Sequence, residues 1–198
     1  MSAVKRLIFI PVIHNLADLG SLAEAVRANY LVRLGAAVWQ QRERAVEKLW
    51  HDIRRAIDAL PLEWRRVRIY QDGLPLCGKE AQIVAELAGA GSRNHQIVLE
   101  LTAKGAVLMG TEDPQLLIRE YQLQRRRLEA ATGDGKVVSP SPAEEAEVLA
   151  ARDLFIAERI AATLPEGETG LLFLGAAHRL DAIRSAGLDV EMLPSGEY

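Results

Sequence analysis

The residues of this chain that can do chemistry recur at one kind of place. His14, Asp72, Glu112 and His178 each stand just beyond a short apolar run that closes on turn-forming residues. The clearest instance is Gly170-Leu171-Leu172-Phe173-Leu174-Gly175-Ala176-Ala177-His178. A bulky run bounded by glycines reads as a strand buried on both faces. A histidine just past it falls on the C-terminal edge of the sheet, the rim where open α/β sheets bind ligands. Imidazoles and carboxylates gathered there suit two kinds of chemistry. His14, His178, Asp72 and Glu112 supply an N/O ligand set for a divalent metal that would acidify a bound water. Without metal, one histidine serves as general base, oriented by Asp72 or Glu112. The residue types fit both.

Two helical segments add candidates. Over 143–164 the inward stripe is Leu149, Asp153, Ile156, Ile160 and Leu164, with a carboxylate in its middle. Such a group must be paired when buried. Asp153 therefore either joins the site or forms a structural ion pair. Arg152 beside it is placed to bind an anionic substrate group or to stabilise an oxyanion. The segment 114–128 repeats the arrangement, with Glu120 between Leu117 and Tyr121. Cys77 reads as a reduced bystander thiol. His51 and His95 read as surface or packing residues, because neither has an acidic partner at ligand spacing. No Gly-x-Gly-x-x-Gly follows the first strand, and neither Gly-Lys-Ser/Thr nor Gly-x-Ser-x-Gly occurs. Those absences count against phosphate-loop and serine-hydrolase chemistry.

The elements that must position these residues follow from periodicity. Residues 6–13 form a first strand. Leu22, Val26, Tyr30, Leu34, Val38, Leu49, Ile53 and Leu60 then keep helical spacing up to Pro61. At 1.5 Å per residue that helix would be roughly 60 Å long, more than a domain of this size accommodates. The spacing predicts a break near Gly35, or an arm over 21–60 that packs against a second copy in a homodimer. Strands follow around Val67–Ile69, Ala106–Met109 and Asp189–Leu193. Between them lie helices over 78–90, around Ile97, Val98 and Leu101 behind a Ser92 cap, and from Pro114 behind Thr111 or Asp113. Residues 132–142 read as a flexible loop. The alternation predicts an α/β fold: a mostly parallel central sheet of about five strands flanked by helices.

Composition sets the outer bounds. At 198 residues, 49% hydrophobic and 26% charged, residues 1–198 read as a single globular α/β domain. A net charge of −3, with arginines interleaved among acids, gives no reason to expect nucleic acid. One cysteine excludes an internal disulfide and suits a reducing compartment. No run approaches the ~20 apolar residues a membrane span needs. The stretch after Lys5-Arg6 is short, broken by Pro11, and lacks a convincing cleavage signal. The expected setting is the cytoplasm, with a small-molecule substrate or ligand as partner.

The second half, Arg152-Asp153 on a helix, then a buried strand, then Gly175-Ala176-Ala177-His178, resembles the TraB/Tiki, erythromycin-esterase and ChaN-like group. The resemblance implies an α/β fold with histidines and acids at strand ends and a terminal Gly-x-x-His motif. His14 matches the group's first histidine, and Glu112 or Glu120 its acidic residues. The chain departs in carrying Pro11-Val12-Ile13 before His14, where a glycine or Gly-Glu is usual, and in its Asp72-Gly73-Leu74-Pro75 turn. These departures mark a divergent branch. Such relatives suggest hydrolysis, or else binding of a small ligand, a metal or haem without turnover.

Overall fold

Every strand of the sheet runs the same way, so all C-terminal ends lie on one edge. The strands are Lys5–Val12 (β1), Val67–Gln71 (β2), Val107–Met109 (β3), Thr169–Gly175 (β4) and Leu188–Met192 (β5). They form a five-stranded parallel sheet in the order β3-β2-β4-β1-β5. The computed structural model describes residues 5–13, 15–132 and 137–193. His14 and residues 133–136 of the expected 132–142 loop lie outside the described residues.

The helices are Ala23–Leu34 (α1), Ala36–Asp58 (α2), Glu80–Gly89 (α3), Arg93–Ala103 (α4), Pro114–Thr132 (α5), Pro142–Thr163 (α6) and Asp181–Ser185 (α7). The long periodic segment breaks where expected. Gly35 stands between α1 and α2 with φ +82°, a conformation that residues with a Cβ rarely adopt. Beyond it, α2 buries Trp39, Val46, Trp50, Ile53 and Ile57 as one apolar stripe.

Both faces of the sheet are covered, which is why its central strands are apolar without alternation. On one face Ile8, Ile10, Val12, Ile69, Leu171 and Phe173 pack against α2 and α4. On the other, Leu7, Phe9, Tyr70, Leu172 and Leu174 meet Ile156, Ala157 and Ile160 of α6. The start of α6 is fixed by Ser141, whose side chain accepts from Glu144 N while the Glu144 side chain accepts from Ser141 N, with Pro142 in the first turn. Among the described residues, no helix is long and apolar enough to cross a membrane.

Candidate active site

Asp72 is placed by a tight turn at the end of β2. Leu74 N donates to Gln71 O at 3.2 Å, and Gly73 takes φ +72°. By strand alternation Asp72 faces the α6 side, like Tyr70. Its Oδ2 accepts from Gly175 N at 2.8 Å, which ties the end of β2 to the end of β4. Glu112 follows β3 and is held through its backbone: Glu112 N donates to Leu74 O and Leu76 N to Glu112 O. Its side chain turns inward, where Oε1 accepts from Gly73 N at 2.7 Å.

Arg152 enters from the middle of α6 and meets these acids. Its Nε donates to Glu112 Oε2 at 2.5 Å and its Nη2 to Glu112 Oε1 at 2.7 Å, a bidentate pair. Nη2 also donates to Asp72 Oδ1 at 2.9 Å, and Nη1 lies 2.7 Å from Glu120 Oε2 of α5. The side chains of Arg152 and Glu112 are 4% and 0% exposed, whereas Glu120 is 33% exposed and leads to solvent. Burial pushes the Glu112 carboxyl above its ordinary range, against the pull of the guanidinium. The surrounding carboxylates more than offset burial at Arg152, which is held firmly in its charged form.

One residue along α6, Asp153 faces His178. The turn after β4 is closed by His178 N donating to Gly175 O at 3.1 Å. That turn sets the ring so that Nδ1 lies 2.6 Å from Asp153 Oδ1, while Arg179 N donates to Asp153 Oδ2 at 3.1 Å. Nε2 lies 3.6 Å from Asp72 Oδ1. Burial pulls the imidazole pKa down, but hydrogen bonds to Asp153 and Asp72 outweigh it and push the pKa up to about 9.

The structure thus brings together Asp72, Glu112, Glu120, Arg152, Asp153 and His178. It differs from expectation in how they are paired. The acid that orients His178 through Nδ1 is Asp153, with Asp72 as a second, longer contact. Arg152, read as a binder of substrate anions, is engaged by three protein carboxylates. His14 lies outside the described residues, so the four-residue metal set is represented by His178, Asp72 and Glu112. Among the described residues, no three His, Cys, Asp or Glu side chains are grouped to hold a metal ion. The physical reason is plain: both Glu112 oxygens and Asp72 Oδ1 face a guanidinium.

A second polar cluster escaped the sequence reading. His95, expected on a surface or in simple packing, is buried with its Nδ1 2.7 Å from Ser92 Oγ and 3.4 Å from Asp18 Oδ1. Ser92 Oγ also donates to Asp18. Asp18 lies in a 3-10 turn whose Asn15 cap forms a capping box with it. Ser92 caps α4 as its sequence position suggests, and the spacing Asn15-x-x-Asp18 is the signal that could have flagged the other cap; their meeting is tertiary. Cys77 is exposed, in the turn before α3.

Comparison with protein-family models, with curated proteins and with solved structures gives no match to this chain.

Proposed function

We propose that the chain is a hydrolase in which His178 is the general acid of a metal-free centre at the C-terminal edge of the sheet. The observation that carries this reading is the Asp153–His178 pair at 2.6 Å, set beside a buried guanidinium held by three carboxylates. Groups with displaced protonation gather at catalytic sites, because acid–base chemistry needs pKa values matched to the task. With a pKa of about 9 the imidazole is charged at neutral pH, so it gives a proton rather than takes one.

In the proposed reaction water adds to the carbonyl carbon of an ester, and its proton passes to Glu120, the acid of the set that reaches solvent. Addition moves the carbonyl π pair onto its oxygen; as that oxyanion re-forms the carbonyl the ester C–O bond breaks, and the departing oxygen takes the Nε2 proton of His178. Solvent then returns a proton to the imidazole and removes one from Glu120, so both groups are reset. Arg152 positions Asp72, Glu112 and Glu120 and keeps their charges tolerable in a buried place. A divalent ion among the same oxygens would sit against that guanidinium, which favours the metal-free version. The test is hydrolysis of a panel of alkyl and aryl esters by wild-type protein, His178→Gln and Asp153→Asn. Loss of the acid is expected to slow alkyl-ester hydrolysis by about 10² or more. No turnover of any ester by the wild type would overturn the reading.

The alternative reading, capture of a small ligand, metal or haem without turnover, uses the same imidazole and carboxylates at this edge of the sheet. Visible absorbance after haem addition and elemental analysis of the purified protein separate it from the first. The exposed Val32 and Leu34 of α1, a helix with no buried residue of its own, and Val38 at the start of α2 flank Gly35 and suit the homodimer contact; light scattering at the monomer mass would remove it.

A further inference from the structure

The face of the sheet opposite Arg152 ends in two buried amides with polar atoms that have no partner among the described residues. Gln71 is the last residue of β2, and by alternation it faces the α2 and α4 side, like Val67 and Ile69. It is 0% exposed; its Nε2 donates to Asp72 O at 3.1 Å, and its Oε1 has no partner. Asn94 is also 0% exposed, and both its Nδ2 and its Oδ1 are unpartnered. The two belong to the same end of the same face. The chain passes from α4 through Ala106 into the start of β3, so α4 runs against the strands and its first turn lies toward the C-terminal edge. Asn94 is one turn nearer that edge than Ile97 and Val98, which pack in the cluster containing Ile69 and Phe173. Phe173 is the register partner of Gln71.

An unmatched buried amide costs about 1–3 kcal/mol, so three such atoms toward one end of one face call for a ligand. The neighbouring Ser92 Oγ, His95 Nδ1 and Asp18 Oδ1 are engaged with one another. The open positions are two acceptors and one donor group: Gln71 Oε1, Asn94 Oδ1 and Asn94 Nδ2. A water donates twice and accepts, and buried waters make about three hydrogen bonds each.

We infer that Gln71 and Asn94 form an internal binding site for one ordered water, which joins β2 to the first turn of α4. Through Gln71 Nε2 and the Asp72 carbonyl, that water braces the peptide carrying Asp72. The inference stands on the orphaned amides and does not depend on the hydrolase reading.

The direct test is a crystal structure of the unaltered protein at about 1.5 Å resolution. Density for a water within hydrogen-bond distance of both side chains is expected; amides bonded to protein groups alone, or a dry cavity between them, would overturn the inference. A double-mutant cycle supplies the solution counterpart. Asn94→Leu and Gln71→Met should each lower Tm by about 3 °C or more, and together by clearly less than the two drops added, because either one disrupts the shared water. A rise in Tm for Asn94→Leu, as expected for removing an amide from a dry site, would contradict it, as would strict additivity.

Discussion

Raising the pH should remove a definite part of the protein's stability through His178 alone. Its imidazole, ordinarily near 6.5, has a pKa of about 9 when folded. A group with a raised folded pKa adds stability that is fully present below its unfolded pKa, here about 6.5, and is lost as pH climbs through about 9. At 1.36 kcal/mol per pH unit, the interval corresponds to about 3 kcal/mol. The side chain is only 3% exposed, so solvent screening does little to reduce this. The assay is urea unfolding of wild type and His178→Gln from pH 6 to 9.5, read as the difference between the two, which cancels other titrating groups. The wild-type advantage should shrink by about 3 kcal/mol between pH 6.5 and 9.5. Asp153→Asn removes the closest partner, so its imidazole should titrate below the wild-type value and its stability should fall less across the same window. Parallel wild-type and His178→Gln curves, or a wild-type imidazole resonance titrating near 6.5, would refute the reasoning.

Arg152→Met leaves Glu112 and Asp72 buried together without their cation, and removal of one partner from a buried pair costs about 3–5 kcal/mol. Thermal unfolding should show the loss at pH 7 and a smaller one at acid pH, where Glu112, held above its ordinary range by burial, takes a proton; an equal loss at both would contradict the assignment. Gly170→Ala inserts a methyl 2.5 Å from Leu7 Cδ1 and 3.4 Å from Tyr70 Cε2, so overpacking of about 1–3 kcal/mol is expected in chemical denaturation. Chelator treatment should leave both Tm and any esterase activity unchanged, since the carboxylates are engaged by Arg152; a drop in either would restore the metal set.

The fold was largely legible because local signals agree with one another. Gly35 and Ser92 mark element boundaries with chemistry that operates within one turn. The two-sided burial of β4 was likewise visible in Gly170–Leu174 as an unbroken apolar run. The neighbourhood of the site could be read for the same reason: parallel strands place Asp72, Glu112 and His178 on a common edge whatever their partners. Pairing was not legible. Arg152 and Asp153 are adjacent on α6, and periodicity cannot say which takes the strand-end carboxylates and which takes the histidine. That choice is made by the turn at Gly175–His178, which presents Nδ1 to Asp153. Nor could spacing reveal the Asp18–Ser92–His95 cluster, whose members come from segments more than seventy residues apart. The last helix begins at Asp181, after a turn in which Arg179 N is taken by Asp153.

The central claim, that His178 protonates a leaving group, is tested most directly by the dependence of hydrolysis on leaving-group basicity. Wild type and His178→Gln would be compared over a series of esters from p-nitrophenyl to simple alkyl. A general acid matters most for poor leaving groups and little for nitrophenolate, which departs unaided. The account predicts a shallow dependence for wild type and a steep one for His178→Gln, with the two converging at the p-nitrophenyl ester. Equal slopes in the two proteins would contradict it.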